Sequence, residues 1–165
     1  MSQSLLPADI TALARRVVEE NRAAGRKIAI AESCTGGLVA AAITEIPGSS
    51  AVLDCAFVTY SNEAKQQTLG VAGDVIDAFG AVSIACVYAM AQGALEHSNA
   101  DVAVAISGIA GPDGGTEQKP VGTVVFARAT RYAEEREAES KLFATGDRSE
   151  VRRQATLCAL ELLLP

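Results

Sequence analysis

The sequence contains one histidine, His97, and this scarcity limits the chemistry that the chain can use. His97 ends a segment predicted to be helical and precedes a predicted strand, so we expect it at the opposite edge of the sheet from the strand C-termini. It is typical of a surface histidine or one facing a helix dipole, not of a catalytic base. The Gly-x-Ser-x-Gly motif of α/β-hydrolases is also absent, so that type of nucleophile elbow is not predicted.

Other absences narrow the possible partners and location. No stretch is long and uncharged enough to span a bilayer, and the N-terminus lacks the basic and then apolar order of a signal peptide. We therefore expect a cytoplasmic location and no membrane partner. The net charge of −6 argues against nonspecific nucleic-acid binding, which needs a positive field along the phosphates.

The cysteine pattern lacks the spacing of a metal site. Cys34, Cys55, Cys86 and Cys158 form no Cys-x-x-Cys pair, and no His-rich segment accompanies them. Structural zinc sites need a tighter arrangement of ligands, so we predict reduced, mostly buried thiols and no metal.

The sequence does contain enough apolar residues for a sizeable core. A chain of 165 residues, 49% of them hydrophobic, suits a single domain over residues 1–165 that buries roughly 70% of its unfolded surface. The predicted order of elements is helix, strand, helix, strand, two helices, three strands, helix. This mixing predicts an α/β fold, a three-layer α/β/α sandwich with a mixed sheet.

The element boundaries follow from apolar spacing and from capping residues. We predict helices over residues 6–25, 35–45, 62–69 and 84–97, and strands over 27–31, 52–60, 101–106, 122–130 and 141–145. Ser61 and Ser83 are predicted N-caps, and Asp147 and Glu150 a capping box for the last helix. Residues 70–80 are predicted as a connector, and the charged run 132–140 as a hairpin tip.

The segment Ala-Glu-Ser-Cys-Thr-Gly-Gly (31–37) stands where a predicted strand runs into a helix. A hydroxyl and several backbone N–H groups then lie at the C-terminal edge of the sheet, where helix N-termini attract anions and oxyanions. Ser33 needs a base, and Lys65 is a candidate because its place in the first turn of a helix disfavours the ammonium form. Tyr60 can relay a proton or align the hydroxyl.

Structural interpretations of the same residues stay open. Ser33 or Thr35 can cap the helix, Tyr60 can be an interface aromatic, and Lys65 can be a solvated helix lysine. Cys34 is a rival nucleophile, but no neighbouring partner marks it as activated, and a buried thiol is the simpler interpretation.

A second glycine-rich segment, residues 107–116, matches neither Gly-x-Gly-x-x-Gly nor the phosphate loop that ends in Gly-Lys-Ser/Thr. Its glycines allow the backbone to approach a phosphate or an oxyanion, although an ordinary surface loop with tight turns has the same composition. Arg148 follows the predicted N-cap Asp147, so its guanidinium and the helix N-terminus can address one phosphate. A salt bridge to Asp147 or Glu150 is the alternative, and we expect Arg152 and Arg153 to be solvated.

Several blocks of this sequence together resemble the CinA C-terminal domain family. The similar blocks are residues 31–37, Pro-Gly-Ser-Ser (47–50), Val-Thr-Tyr-Ser-Asn-Glu-Ala-Lys (58–65), Gly-Ala-Val-Ser (80–83), 107–116 and Lys-Pro-Val-Gly-Thr-Val (119–124). They occur in the family's order between about residues 8 and 163. That family comprises nicotinamide-nucleotide amidohydrolases of pyridine-nucleotide salvage, both as stand-alone proteins and as fused domains.

The resemblance implies hydrolysis of the carboxamide of nicotinamide mononucleotide to nicotinate mononucleotide and ammonia, without a metal or an organic cofactor. It implies Ser33 as the nucleophile, Lys65 and Tyr60 as catalytic residues, and Arg148 as a substrate ligand. Ser107 stands where the family often has threonine. Serine keeps the hydroxyl group but lacks the methyl group. The substrate-binding set is expected to be Thr35, Gly36, Gly37, Ser107, Gly108, Gly111, Gly114, Gly115 and Arg148, with backbone N–H groups of 34–37 as oxyanion donors.

Two other functions remain open at this stage. The same pocket can hold a nucleotide without catalysis, as a sensor or as an adaptor in DNA uptake or damage responses, or it can act on a different small amide. The Ala-rich helices and the apolar run 160–164 favour self-association as a dimer.

Overall fold

A computed structural model describes residues 3–134 and 137–165 and contains one mixed five-stranded sheet. The order across the sheet is β2-β1-β3-β4-β5. The first three of these strands run parallel, and β4 and β5 are antiparallel to their neighbours. The predicted mixed sheet is confirmed. The strands are β1 (Ile28–Glu32), β2 (Leu53–Val58), β3 (Val102–Gly108), β4 (Thr123–Thr130) and β5 (Glu137–Leu142).

Helices cover both faces of the sheet, which confirms the three-layer α/β/α sandwich. Along β1, Ile28 and Ile30 pack with one helix layer, and Ala29 and Ala31 pack with the other. Because successive strand residues point to opposite faces, a continuous apolar strand supplies both cores. The first layer contains α1 (Ala8–Ala23), α2 (Leu38–Thr44) and α6 (Arg148–Leu162), and the second contains α3 (Asn62–Leu69), α4 (Gly73–Phe79) and α5 (Ile84–Glu96).

Serine and aspartate N-caps begin the helices that face the C-terminal ends of the parallel strands. Ser61 accepts a hydrogen bond from the Ala64 N–H at 3.0 Å, and Ser83 accepts one from the Cys86 N–H at 3.1 Å, so both predicted caps are confirmed. Asp147 likewise accepts from the Ser149 N–H. The second half of the predicted capping box is wrong, because the Glu150 carboxylate accepts hydrogen bonds from Arg153 and Gln154 instead.

Two predicted segments differ from the structure. The predicted connector 70–80 contains α4, a short helix held by burial of Ile76 against the α5 layer, which local propensity does not reveal. The last strand is β5 at Glu137–Leu142 and not residues 141–145, because its glutamates lie exposed on an edge strand, where charge is tolerated. Residues 135 and 136 of the predicted hairpin tip lie outside the described residues.

A close contact between α5 and the end of α3 fixes the helix that carries Lys65. A Cβ atom on Gly93 would lie 2.0 Å from the Leu69 carbonyl oxygen, so only glycine allows this approach.

Among the described residues, no helix is long and apolar enough to cross a membrane.

Candidate active site

A cavity of about 280 Å³ opens at the C-terminal ends of β1 and β3. It receives residues from the β1–α2 turn, the start of α3, the α4–α5 connection, the loop after β3 and the first residue of α6. The segments that carry the predicted residues Ser33, Tyr60 and Lys65, Ser107, and Arg148 therefore all contribute to one cavity. The predicted site residues that line it are Ser33, Tyr60, Lys65, Ser107, Gly108, Gly111, Gly114 and Arg148.

The Lys65 side chain reaches across the cavity floor to Ser33. Its Nζ lies 3.0 Å from the Ser33 Oγ and donates to the carbonyl oxygens of Thr59 at 2.8 Å and Tyr60 at 3.2 Å. The alternative of a solvated helix lysine is wrong, since Lys65 is only 1% exposed. Ser33 is not a side-chain helix cap either, because α2 begins five residues later, at Leu38.

The surroundings of Lys65 favour the uncharged amine. Burial lowers the pKa of Lys65, and this effect outweighs the opposite influence of the Cys86 and Cys34 thiols. Lys65 forms no ion pair with any acidic residue in the described part of the chain. A neutral amine has two N–H donors and one lone pair, which matches two carbonyl acceptors and one hydroxyl donor. The geometry thus suits proton transfer from the Ser33 hydroxyl to Lys65.

The Tyr60 hydroxyl lies at the rim of the cavity and does not stand between Ser33 and Lys65. The Tyr60 residue is 63% exposed, and its hydroxyl accepts a hydrogen bond from Arg148 Nη2 at 3.2 Å. Arg148 Nη1 donates to the Gly111 carbonyl at 2.7 Å, which ties α6 to the glycine-rich loop. Arg148 forms no salt bridge with a described acidic residue, so that alternative is wrong. Its exposed guanidinium faces the cavity.

The glycine-rich segment 107–116, which begins at the end of β3, lines the cavity at Gly108, Gly111 and Gly114. A Cβ on Gly108 would lie 2.8 Å from Val124 Cγ2 and 3.1 Å from Cys34 Sγ, so packing alone requires glycine there. The Ser107 hydroxyl donates to the Ala81 carbonyl at 2.9 Å, which joins the end of β3 to the α4–α5 connection.

Four predicted substrate-binding residues do not line the cavity: Thr35, Gly36, Gly37 and Gly115. Thr35 is fully buried, and Gly37 is the N-cap of α2 beside Val58. Gly115 packs against Val121. The sequence placed the start of α2 at residue 35, too early, because Gly36 and Gly37 both adopt positive φ angles, 59° and 104°, before the helix begins.

A buried carboxylate that sequence reasoning missed occupies the N-terminus of α2. The Glu32 oxygens accept hydrogen bonds from the Val39 N–H at 3.0 Å and the Ala40 N–H at 3.1 Å. The α2 dipole therefore stabilises Glu32 and not a ligand. The Gly36 N–H bonds to the Ser33 carbonyl. In the turn, Cys34 is the residue that lines the cavity and whose N–H bonds to no other described residue.

Arg152 holds the turn that carries Ser33 and is not a solvated residue as predicted. Its Nε donates to the Cys34 carbonyl at 3.0 Å and its Nη2 to the Thr35 carbonyl at 3.4 Å. Because peptide groups are planar, holding these carbonyls fixes the peptide planes that follow Cys34 and Thr35 and so limits movement of the turn that carries Ser33. Spacing along the sequence could not show this contact, since the partners are more than a hundred residues apart.

The other candidate nucleophile, Cys34, and the histidine, His97, are poorly suited to act in this site. Burial raises the pKa of Cys34 to about 11, so the residue next to Ser33 is a protonated thiol at neutral pH. His97 Nδ1 lies 2.8 Å from the Gly93 carbonyl at the C-terminus of α5, while the N-terminus of α5 faces the site, as the sequence predicts. The cavity also contains Asn62 and Asp113, which the sequence analysis did not single out.

The cysteines are free thiols, as predicted, with Cys34 and Cys86 buried and Cys55 and Cys158 half-buried. Among residues 3–134 and 137–165, no group of three or more His, Cys, Asp or Glu side chains is arranged to hold a metal ion.

Known proteins that are similar to this chain align with most of its length. The family model described as the CinA C-terminal domain matches residues 10–165. The nicotinamide-nucleotide amidohydrolase PncC of Escherichia coli K12 is 52% identical over 159 residues, covering 94% of this chain and 93% of that protein. A CinA-like protein of Akkermansia muciniphila is 54% identical over 138 residues, which are 84% of this chain and 33% of that longer protein.

Solved structures agree with this result. The competence/damage inducible protein CihA from Agrobacterium tumefaciens superposes with a TM-score of 0.94 at 46% identity, covering 98% of this chain and 97% of that chain. A CinA superfamily protein from Klebsiella pneumoniae gives a TM-score of 0.88 at 41% identity, with 93% and 94% covered.

Proposed function

The chain belongs to the CinA C-terminal domain family, and we propose that it hydrolyses the carboxamide of nicotinamide mononucleotide to nicotinate mononucleotide and ammonia. The observation that carries the proposal is the contact of 3.0 Å between the buried Lys65 amine and the Ser33 hydroxyl. An amide is a weak electrophile, so its hydrolysis needs such an activated nucleophile. A protein that only binds a nucleotide gains nothing from burying an amine against a serine.

In the first half of the reaction, the Ser33 Oγ bonds to the carboxamide carbon while its proton moves to the Lys65 lone pair. The tetrahedral intermediate then collapses, the C–N bond breaks, and Lys65 returns the proton to the departing ammonia. An acyl-enzyme ester on Ser33 remains. In the second half, water attacks this ester and passes a proton to Lys65. The ester C–O bond then breaks, Lys65 returns the proton to the Ser33 Oγ, and the carboxylic acid product is released.

Three features of the site support this cycle. The Thr59 and Tyr60 carbonyls accept hydrogen bonds from Lys65 and so stabilise the ammonium that forms transiently. The Cys34 N–H is our candidate for the donor that stabilises the oxyanion. Since Lys65 contacts Ser33 directly, we place the Tyr60 hydroxyl with Arg148 on the substrate side and not in a relay.

We assign the phosphate of the substrate to Arg148. Its guanidinium is exposed to the cavity and belongs to the first residue of α6, where the helix dipole also favours an anion. The Asp113 carboxylate on the same cavity repels phosphate and accepts hydrogen bonds from hydroxyl groups, so it suits the ribose. Ser107 and the loop glycines complete the nucleotide site.

Ammonia release from nicotinamide mononucleotide, nicotinamide riboside and nicotinamide tests this proposal. We expect the phosphorylated compound to be the preferred substrate. In the Arg148→Ala protein, KM for the mononucleotide should rise about tenfold to a hundredfold with little change in kcat, because ground-state binding is lost. The riboside has no phosphate, so its kinetics should barely change. Arg15→Ala, an exposed arginine on α1, is the matched control. Equal penalties for both substrates would contradict the phosphate assignment.

Arg152 is a positioning residue in this scheme, and its effect should appear in kcat. Removing the guanidinium in Arg152→Ala frees the Cys34 and Thr35 carbonyls, and we expect kcat to fall about tenfold to a hundredfold with KM nearly unchanged. Arg152→Lys, with one nitrogen in place of a planar fork, should restore only part of the rate. Arg153→Ala is the control, since Arg153 binds Asp9 and Glu150 and not the turn. A loss of thermal stability with unchanged kcat would show a purely structural role.

We also propose a cytoplasmic location, a homodimer, and catalysis without a metal or an organic cofactor. Light scattering of the purified protein tests the dimer, and activity after exhaustive chelation tests the metal.

A further inference from the structure

We propose that this site also transfers the acyl group of its substrate to small neutral amines, so that the enzyme is an acyltransferase as well as a hydrolase. The inference rests on the proposed function, because it needs the acyl-enzyme on Ser33. It adds a second class of acceptor, amines and hydroxylamine, that competes with water for that ester.

One base, Lys65, serves both halves of the reaction. Lys65 is the titratable side chain that contacts Ser33 among the described residues. The nearby Glu32 carboxylate is occupied by the Val39 and Ala40 N–H groups. Among the described residues, no acidic or histidine side chain forms a hydrogen bond with Ser33 that would let it activate water selectively. Lys65 therefore accepts a proton from whichever nucleophile lies against the ester.

The place from which a nucleophile attacks the ester also accommodates an amine. Ammonia leaves from a place beside Lys65 and Ser33, and microscopic reversibility requires that ammonia can attack the ester from the same place. Water enters there only after ammonia has left. A site that passes ammonia outward also admits hydroxylamine or methylamine, which differ from it by one heavy atom.

Access to the cavity and the charge beside Ser33 both allow a small amine to enter. The cavity is open, and the α4–α5 connection lines it with the apolar residues Ala81 and Val82. Burial lowers the pKa of Lys65 and so favours the uncharged amine, which neither repels a small base nor holds a hydroxide in preference to an amine.

The transfer balances without an oxidant or a reductant. With hydroxylamine as the acceptor, its nitrogen bonds to the acyl carbon, the ester bond to Ser33 Oγ breaks, and one N–H proton passes through Lys65 to Ser33. The sum is nicotinamide mononucleotide plus hydroxylamine giving the hydroxamate of nicotinate mononucleotide plus ammonia.

Hydroxylamine is therefore the probe, with nicotinamide mononucleotide as the acyl donor and the wild-type chain as the enzyme. Mass spectrometry after liquid chromatography measures the hydroxamate and the acid, and a coupled assay measures ammonia. We expect the hydroxamate to increase with hydroxylamine concentration while the acid decreases in proportion. Mixtures with the Ser33→Ala protein and mixtures without enzyme are the controls, and neither should form the hydroxamate. With ¹⁵N-ammonium instead, the recovered substrate should gain ¹⁵N.

The outcomes separate this inference from the function on which it rests. Acid and ammonia with neither hydroxamate nor ¹⁵N exchange would overturn acyl transfer and leave the hydrolase intact. Neither ammonia nor hydroxamate from the wild type would overturn both. Hydroxamate formation by Ser33→Ala at the wild-type rate would show that no serine ester is involved and would also overturn the inference.

Discussion

Replacing Ser33 with alanine is expected to lower the kcat for ammonia release by a factor of about a thousand or more. The hydroxyl 3.0 Å from Lys65 is the group that bonds to the substrate, and losses of this size are usual when a nucleophile is removed. The fold should be unchanged, because the Ser33 side chain accepts no helix-capping hydrogen bond. Steady-state ammonia release and thermal unfolding measure the two effects separately.

Cys34→Ala and Ser50→Ala are the matched controls for this substitution. The Cys34 thiol, with a pKa of about 11, is protonated at neutral pH, so Cys34→Ala should keep kcat within a few fold. Ser50 is an exposed serine that does not line the cavity, so its replacement should have no effect. An inactive Cys34→Ala protein beside an active Ser33→Ala protein would reverse our choice of nucleophile.

Replacing Lys65 with methionine is expected to abolish activity to a similar extent while the chain still folds. Methionine fills nearly the same buried volume but cannot accept the proton of Ser33. Lys27→Met is the control, because Lys27 is exposed and lies outside the cavity. In the wild type, kcat/KM should rise with pH as the Lys65 amine loses its proton, and reach a plateau below the ordinary lysine pKa of 10.5. Substantial activity in Lys65→Met would exclude it as the base.

The same substitution tests the charge state of Lys65 through stability. Between its lowered pKa in the folded state and 10.5 in the unfolded state, the unfolded chain binds the proton and the folded chain does not. The unfolding free energy of the wild type, measured against Lys65→Met, should therefore increase with pH in this window, by at most about 1.4 kcal/mol per pH unit. Chemical denaturation at several pH values measures this slope. A constant difference would mean that Lys65 keeps its ordinary pKa.

Much of the fold could be predicted from local signals in the sequence. Apolar runs and capping serines located β1, β3, α3 and α5, since these signals act over a few residues. The helix α4 was not predicted because its stability depends on packing against α5. The last strand was predicted too late in the chain because the charged residues of β5 are stable on an exposed edge. The sequence pattern alone did not show which strand would be the edge.

The candidate site was less accessible from the sequence than the fold. Strand ends and helix starts indicated where Ser33 and Lys65 would lie, because parallel strands finish at one edge of the sheet. The contacts of Glu32 and Arg152 were not predictable in the same way. The contact of Glu32 with the N-terminus of α2 can be recognised only once α2 is known to begin at Leu38. Arg152 contacts the turn that carries Ser33 from a helix near the other end of the chain.

The central claim is that Lys65 is a neutral amine beside Ser33, and ¹⁵N nuclear magnetic resonance of lysine-labelled protein tests it most directly. The Nζ signal, assigned as the one missing in Lys65→Met, would be followed as pH is raised. Our account predicts that it titrates clearly below 10.5, at the same apparent pKa that governs kcat/KM. A Lys65 signal that remains that of an ammonium up to pH 10.5 would contradict the account.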